Sequence, residues 1–207
     1  MLNIFARASV SRALDPVGHA LLRAGVTPNV MTAIGTIGAI GCAVGFFPAG
    51  LLLWGTFTVW GFAMLDLVDG AIARARGRGT PFGAALDATC DRLVDGALFA
   101  AIAWWCFVDA HSLRAAAAAL ICLVLGQVIS YVKARAEASG LSADGGLIER
   151  AERLIIALVG TGLQGFSVPY AIEASQWLLA VLSAVTLGQR MVAVAASAKA
   201  QAGKARS

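Results

Sequence analysis

The sequence predicts an all-α membrane protein with six transmembrane helices and an N-terminal amphipathic helix on the membrane surface. Of the 207 residues, 59% are hydrophobic and 14% are charged, whereas soluble domains carry about 25% charged residues. Several apolar runs reach about 20 residues, which is the length that a helix needs to cross a bilayer. Length and composition together predict one helical bundle in the lipid bilayer rather than several soluble domains.

Residues 1–25 are expected to form the amphipathic surface helix. Their apolar residues follow a broken stripe at helical spacing, and Arg7, Arg12 and Arg23 lie outside that stripe. A cleavable signal peptide is not expected, because Arg7, Arg12 and Asp15 interrupt the continuous apolar core that such a segment needs.

The membrane domain is expected at residues 26–198, with a basic flexible tail at 199–207. Apolar runs and the turn residues between them predict spans at about 29–47, 51–76, 81–108, 115–138, 147–165 and 171–195. Thr27 and Thr80 are the expected N-caps of the first and third spans, because each is followed by a proline that the first helical turn tolerates.

The basic residues predict which side of the membrane each loop occupies. With six spans, both termini share one side with the loops at 76–80 and 139–146, and most lysines and arginines near span ends fall on that side. The opposite turns contain Arg114 alone. Because cytoplasmic loops are enriched in Lys and Arg, we expect the termini and these loops to be cytoplasmic. Basic residues clustered at span ends, rather than along one soluble face, argue against nucleic acid as a partner.

Acidic residues inside the second span interrupt this apolar pattern. A charge at mid-membrane costs about 2.5–3.5 kcal/mol even on a lenient scale, so these side chains are expected to face a cavity or partners. One arc of roughly 140° on this helix would carry Asp66, Asp69, Gly70, Ala73 and Arg74. Arg74 suits the binding of a phosphate or diphosphate, although an arginine that snorkels from a span end would give the same pattern.

A second acidic stripe is predicted on the third span. Gly83, Asp87 and Asp91 are spaced by four residues and therefore lie on one face of a helix. The short turn at 76–80 predicts that the two helices are antiparallel neighbours. Since both sets of aspartates lie within about four turns of it, the stripes are expected to face each other in the cytoplasmic half of the membrane.

Carboxylates this close need a countercharge. Two negative charges ~5 Å apart repel by about 3 kcal/mol at an effective dielectric of 20, so either some of them are protonated or a cation lies between them. Oxygen ligands favour Mg²⁺ or Mn²⁺, because no histidine is near and the four cysteines are scattered through apolar stretches. Asp87 and Asp91 are one turn apart, so two ions about 3.5–4 Å apart could bind.

The two stripes resemble a known signature. They spell Asp66-x2-Asp69-Gly70-x2-Ala73-Arg74-x8-Gly83-x3-Asp87-x3-Asp91. This resembles, at every fixed position, the motif of the CDP-alcohol phosphatidyltransferase family. From the composition of this chain, a chance match of eight fixed positions is on the order of 10⁻⁷. The resemblance implies six transmembrane helices around a polar cavity open to the cytoplasm, usually in a homodimer.

The resemblance also implies roles for the acidic residues. Asp66, Asp69 and Asp87 would hold a first Mg²⁺ ion, with Mn²⁺ as the alternative, and Asp87 and Asp91 would help to hold a second. Asp91 would in addition accept the proton of the attacking hydroxyl. The donor would be CDP-diacylglycerol, and its implied binding residues are Asn29, Val30, Met31, Thr32, Asp66, Gly70, Ala73, Arg74 and Thr80. For Asn29 and Thr32, a helix-capping role accounts for the residue equally well.

Two segments narrow the resemblance to a subgroup. Residues 130–140 and 148–153 resemble the actinobacterial phosphatidylinositol phosphate synthases. The implied acceptor is myo-inositol phosphate, with phosphatidylinositol phosphate and CMP as products. Its phosphate would be bound by basic residues of the last three helices together with a serine, namely Lys133, Arg135, Arg153, Arg190 and Ser130.

The charges agree in part with an anionic acceptor. Arg190 interrupts an apolar span and needs an anion or a carbonyl as its partner. Arg135 and Arg150 could instead pair with the surface acids Glu137, Glu149 or Glu152. Glycerol 3-phosphate is also an anion, so a phosphatidylglycerophosphate synthase explains the charge equally well. An ion or proton transporter would explain the aspartates alone, but it gives no role to the glycines and arginine of the motif.

Overall fold

The computed structural model describes residues 25–75 and 80–204, together with residues 16, 20 and 23. Side chains at 66–71, 73–75 and 204 are not among those described. The predicted surface helix at 1–25 therefore lies almost entirely outside the described residues, and so do positions 76–79 of the predicted turn.

The described residues contain α-helices joined by turns and loops, and no β-strand. Six α-helices follow one another: α1 Pro28–Phe46, α2 Leu52–Ala75, α3 Pro81–Val108, α4 Leu113–Ala138, α5 Arg150–Gly165 and α6 Ala171–Lys204. By length and composition, α1, α4 and residues 171–203 of α6 are apolar enough to cross a membrane. The all-α fold class is confirmed, with three helices that could each span a bilayer.

The predicted N-caps of α1 and α3 are confirmed. The Thr27 hydroxyl accepts a hydrogen bond from the Val30 amide at 3.4 Å, and the Thr80 hydroxyl accepts one from the Gly83 amide at 3.0 Å. Both threonines have an extended backbone and are followed by proline. Proline suits this position because the first amides of a helix have no partner within the helix.

Two helix ends differ from the expectation. α5 begins at Arg150 rather than near 147, because Glu149 and Glu152 form a capping box in which the Glu149 amide donates to Glu152 Oε2 at 2.9 Å. α6 continues to Lys204, past the expected end near 195. The extension follows from an alanine-rich sequence and from a hydrogen bond of 2.6 Å between Gln201 Nε2 and the Gly140 carbonyl.

The helices pack in a ring. Its order is α1, α2, α5, α6, α4, α3, and α3 returns to α1. Among the described residues, α1 packs extensively against both α2 and α3. The end of α2 nearest the turn lies largely outside the described side chains, so the expectation that α2 and α3 are direct neighbours stays a prediction. Glycines on α1 explain its position: a Cβ atom at Gly35 would lie 3.5 Å from the Phe62 carbonyl oxygen, and one at Gly38 would overlap the Phe62 ring.

Apolar and charged residues occupy different halves of the ring. The largest buried apolar side chains lie mostly along the C-terminal half of α3 and the helix ends beside it, including Phe47, Leu98, Ile102, Cys106 and Leu179. The outer surface is also apolar, with Ile37 72% and Trp54 65% exposed. A soluble monomer rarely exposes such a surface, so it is suited to lipid. The N-terminal half of α3 carries the charged residues.

Candidate active site

Three aspartates lie one turn apart on α3. Asp87 and Asp91 are half-buried, whereas Asp95 is only 5% exposed. The spacing of four residues places all three on one face of the helix, and the Thr80 cap fixes where that helix starts. The acidic stripe predicted at Asp87 and Asp91 therefore continues one turn deeper into the protein.

Arg150 joins two of these aspartates. Its Nη1 atom lies 2.8 Å from Asp91 Oδ1, and its Nε atom donates a hydrogen bond of 3.1 Å to Asp95 Oδ1. Arg150 is the first residue of α5, and α5 is not a neighbour of α3 in the ring. The arginine side chain therefore reaches across the inside of the ring. Arg150 pairs with the α3 aspartates, which neither of the alternatives for Arg150 had included.

Asp95 is the centre of an arginine cluster, by which we mean Arg92, Arg150 and Arg153. In addition to the bond from Arg150, Asp95 Oδ2 lies 3.3 Å from Arg92 Nη2 and 3.6 Å from Arg153 Nη2. These last two contacts are ion pairs, because Oδ2 accepts no hydrogen bond from the described residues. The shortest contact that fixes Asp95 is therefore the one to Arg150.

The arginine cluster includes a deeply buried cation. In the ion pairs of this region, its guanidinium groups contact the carboxylates of Asp91 and Asp95. Arg153 is only 3% exposed, and its Nε atom has no hydrogen-bond partner among the described residues. A buried cation of this kind is costly unless an anion reaches it. The cluster is therefore suited to bind an anionic group.

Helix α4 closes one side of the cluster. Arg92 Nη1 donates to the Ser130 hydroxyl and to the Gly126 carbonyl, the latter at 3.2 Å. Ser130 donates in turn to the Gly126 carbonyl at 3.1 Å, and Gln127 Nε2 donates to the Arg92 carbonyl at 3.0 Å. Ser130, predicted as an acceptor-binding residue, is thus linked to the cluster through Arg92.

The other predicted acceptor residues lie at varying depth. Arg190 is 8% exposed and donates to two carbonyls, Gly145 at 3.2 Å and Ile129 at 3.0 Å. A carbonyl was one of the two partners expected for it. Lys133 is exposed and lies 3.9 Å from Glu137, one turn along α4, and Arg135 is exposed as well. The structure thus brings Arg153 and Ser130 to the cluster and leaves Lys133 and Arg135 at the surface.

The predicted donor residues of α1 and α3 come together at the N-termini of these helices. A Cβ atom at Gly83 would lie 3.1 Å from Thr80 Oγ1 and 3.2 Å from Asn29 Oδ1. Thr32 is buried, and its hydroxyl donates to the Pro28 carbonyl at 3.1 Å. Val30 is exposed and Met31 half-buried. Asn29, Thr80 and Gly83 therefore border one small region.

The remaining motif residues lie on α2. Asp66, Asp69, Gly70, Ala73 and Arg74 are helical, as expected, but their side chains lie outside those described. Among the described side chains no group of three or more His, Cys, Asp or Glu residues could hold a metal ion. Since two of the four predicted ligands fall in this segment, the metal site stays a prediction.

The motif analysis missed Asp95 and Arg92. The signal that could have found Asp95 is the continuation of the four-residue spacing from Asp87 and Asp91. Arg150 and Arg153 are also three residues apart and share a face of α5. Because one face of α3 is acidic and one face of α5 is basic, these two faces could have been predicted to pair.

The comparisons with known proteins identify the family. Residues 25–188 match the family model described as CDP-alcohol phosphatidyltransferase. The chain belongs to the CDP-alcohol phosphatidyltransferase family. It is 53% identical over 198 residues to a phosphatidylinositol phosphate synthase of Mycobacteroides abscessus, with 95% of this chain and 90% of that protein covered. A synthase of the same name from Mycolicibacterium smegmatis is 51% identical over 202 residues, covering 95% and 91%.

Solved structures of the family share the fold. The crystal structure of the Mycobacterium tuberculosis phosphatidylinositol phosphate synthase with CDP-DAG bound superposes with a TM-score of 0.84, at 50% identity, over 88% of this chain and 94% of that chain. The same enzyme in complex with manganese and citrate gives 0.82 at 50% identity, over 87% and 88%. The family and the subgroup predicted from the motifs are both confirmed.

Proposed function

We propose that this chain transfers a phosphatidyl group from CDP-diacylglycerol to a hydroxyl of myo-inositol phosphate, forming phosphatidylinositol phosphate and CMP. The observation that carries the proposal is the buried guanidinium of Arg153, whose Nε atom has no hydrogen-bond partner among the described residues. A phosphate on the acceptor would give this nitrogen an anionic partner, which a neutral acceptor could not supply. Relatives that share half of the sequence carry the matching name.

The site is placed at the cytoplasmic side of a six-span membrane domain. Residues 26–198 form that domain, 1–25 an amphipathic surface helix and 199–207 a basic tail, and both termini are cytoplasmic. The charge distribution supports this orientation, because the charged half of α3 adjoins the basic 76–80 loop whereas the apolar core fills the opposite half. The protein acts as a homodimer, as the family resemblance implies.

Divalent metal is the proposed cofactor. Asp66, Asp69, Asp87 and Asp91 would hold two Mg²⁺ ions, with Mn²⁺ able to replace them. The donor atoms fit such a cation, because carboxylate oxygens are the ligands that Mg²⁺ and Mn²⁺ prefer. Manganese in the crystal structure of the M. tuberculosis relative supports the choice. When bound, the metal would supply charge neutralisation to the donor's diphosphate.

The chemistry is a direct displacement. The acceptor hydroxyl attacks the phosphorus that carries diacylglycerol, the bond from that phosphorus to the CMP oxygen breaks, and the hydroxyl proton passes to Asp91. Asn29, Val30, Met31, Thr32, Gly70, Ala73, Arg74 and Thr80 position the donor. Positioning of the two substrates makes the largest contribution to lowering the activation barrier. Proton transfer to a correctly placed carboxylate raises the rate by about 10²–10⁴-fold.

The acceptor's phosphate is bound by Arg153 and Arg190, assisted by Lys133, Arg135 and Ser130. Arg153 contributes a buried cation, and Arg190 is held in place by two carbonyls. A guanidinium group suits this role because it binds a phosphate through two parallel hydrogen bonds. Glycerol 3-phosphate presents the same phosphate and is the second candidate acceptor.

One assay tests the activity, the acceptor and the metal. The purified protein in lipid nanodiscs is given CDP-diacylglycerol and Mg²⁺, and CMP release is measured with inositol phosphate, glycerol 3-phosphate or free inositol. We expect release with inositol phosphate alone, loss of release with EDTA and recovery with Mg²⁺ or Mn²⁺. CMP release with glycerol 3-phosphate instead would identify glycerol 3-phosphate as the acceptor. CMP release that EDTA does not affect would show that the reaction does not need a metal ion.

The role of Asp91 is tested separately. We expect Asp91→Asn to bind CDP-diacylglycerol, measured by retention of a radiolabelled donor, but to release CMP more slowly by about 10²-fold or more, since the proton acceptor is lost. Undiminished CMP release by this variant would exclude Asp91 as the base.

A further inference from the structure

Asp95 belongs to none of the donor, metal or acceptor sets proposed above, yet it forms ion pairs with three arginines. It lies 5% exposed at the third turn of the acidic stripe, where it contacts all three arginines of the arginine cluster. A buried carboxylate with three cationic partners is costly to desolvate. It is therefore expected to have a function other than filling space.

The contact that distinguishes Asp95 is the one to Arg150. Asp95 accepts a hydrogen bond from Arg150 Nε at 3.1 Å, and the same guanidinium places Nη1 2.8 Å from Asp91. One planar group thus joins two carboxylates on successive turns of α3. Because the guanidinium is rigid, fixing its Nε side also fixes the direction in which Nη1 points.

We propose that Asp95 is a positioning residue for phosphatidyl transfer, which holds Arg150 against Asp91 and thereby orients the carboxylate that accepts the acceptor's proton. An ion pair through Asp91 Oδ1 sets the plane of the carboxylate and the direction of its second oxygen. Groups that orient a catalytic or metal-binding side chain commonly change activity or metal affinity by about 10–100-fold. The inference rests on the proposed role of Asp91.

The geometry also explains why an aspartate is needed at position 95. A glutamate would extend toward Arg150 by one methylene, and an asparagine would leave three arginines facing a single carboxylate. Arg150 cannot be replaced by lysine without loss either, because a lysine has one nitrogen where the arginine uses two, Nε and Nη1, for its two carboxylate partners.

The test uses the full-length protein in nanodiscs and four variants: Asp95→Asn, Asp95→Glu, Arg150→Gln and the double variant Asp95→Asn/Arg150→Gln. CMP release is measured at saturating acceptor, with KM for CDP-diacylglycerol determined separately. We expect Asp95→Asn and Arg150→Gln each to lower kcat by about 10–100-fold and to leave the donor KM nearly unchanged. Asp95→Glu should recover part of the loss. The double variant should be no slower than Arg150→Gln, since residues that act through one another are not additive.

A second readout does not depend on turnover. The affinity for Mn²⁺ without substrates, measured by electron paramagnetic resonance, should fall in Asp95→Asn, because Arg150 is then no longer held in place against Asp91, a proposed metal ligand. The matched control is Glu173→Gln, which breaks the 3.5 Å ion pair between Glu173 and Arg114 at the opposite end of the bundle. This control should keep both the wild-type kcat and the wild-type Mn²⁺ affinity.

Several outcomes would overturn the inference. Wild-type kcat in Asp95→Asn or Arg150→Gln would do so, as would fully additive losses in the double variant. If Asp95→Asn does not fold, Arg150→Gln and a fifth variant, Arg150→Lys, decide, since wild-type kcat in both means that the bridge is not needed. If instead the wild-type protein releases no CMP with any acceptor, the proposed function itself is wrong, and the variants are not the cause.

Discussion

Gly83→Ala should weaken donor binding without unfolding the protein. The added Cβ atom would lie 3.1 Å from Thr80 Oγ1 and 3.2 Å from Asn29 Oδ1. Both distances are shorter than an ordinary carbon–oxygen contact, so one or both oxygens must move by a few tenths of an ångström. The atoms that must move are two of the proposed donor-binding groups.

The effect on stability is expected to be small because two terms oppose each other. Displacing Thr80 weakens the cap hydrogen bond to the Gly83 amide, which is 3.0 Å long, and the loss of such a cap costs about 1 kcal/mol. Replacing glycine by alanine in a helix contributes up to about 1 kcal/mol in the opposite direction. The net change in unfolding free energy should therefore be near zero.

The effect on donor binding is expected to be larger. If the displacement costs one hydrogen bond between Thr80 or Asn29 and the charged donor, about 1.5 kcal/mol is lost. That energy corresponds to about a tenfold increase in the KM for CDP-diacylglycerol. The KM is measured by CMP release in nanodiscs, and the unfolding temperature by a thermal-shift assay in detergent.

The matched control is Gly96→Ala on the same helix. Its Cβ atom would lie 3.7 Å from Gln127 Nε2, an ordinary contact distance, so its KM for the donor should equal that of the wild type. An unchanged KM in Gly83→Ala would refute the assignment of Thr80 and Asn29 to the donor site. Equal losses in the two variants would show that alanine on α3 disturbs the helix in general.

Two further predictions concern the framework of the site. Arg190→Gln should lower the unfolding temperature, because it removes the charged hydrogen bonds to the carbonyls of Gly145 and Ile129, and a hydrogen bond from a charged group contributes about 1.5–3 kcal/mol. The control is Arg114→Gln at the exposed end of α4, and equal unfolding temperatures would contradict the prediction. The hydroxyls of Thr56 and Thr161 share a buried hydrogen bond of 2.8 Å. Thr161→Val alone should therefore destabilise the protein by about 0.6 kcal/mol, whereas Thr56→Val/Thr161→Val should be nearly neutral. A double variant that is less stable than the single variant would contradict this reasoning.

Local features of the fold were predictable from the sequence. Thr27-Pro28 and Thr80-Pro81 start helices because a hydroxyl and a proline suit the first turn wherever they occur. The extension of α6 to Lys204 was not predicted, since it depends partly on a hydrogen bond from Gln201 to a carbonyl 61 residues away in the chain. Features that depend on residues close in sequence can be predicted from the sequence. A contact across the bundle can be predicted only once the order of the helices is known.

The position of α1 shows the same limit. The short turn predicted α2 next to α3, but nothing in the sequence predicted that α1 packs against both of them. The glycines Gly35 and Gly38 let α1 approach α2 closely, and Gly83 lets the start of α1 approach α3. The small residues were visible in the sequence, but which helices they would bring together was not.

The candidate site was likewise predictable within one helix but not between helices. Four-residue spacing correctly placed Asp87 and Asp91 on one face of α3, because helical geometry alone determines that. It did not reveal that Arg150 pairs with Asp91, since that contact crosses the ring from α5. For Arg150 the sequence suggested an anionic acceptor or surface glutamates as partners, and it did not suggest the aspartates of α3.

Depth separates the roles of the aspartates that share this face of α3. Asp91 is half-buried and therefore partly exposed, whereas Asp95, one turn further, is only 5% exposed. An accessible carboxylate can accept a proton from an incoming hydroxyl, but a carboxylate enclosed by three arginines cannot be reached by one. Asp95 can therefore influence the reaction only through the arginines that it holds. Because Arg150 extends from it to Asp91, a residue that cannot contact the acceptor still determines how the proposed base is oriented.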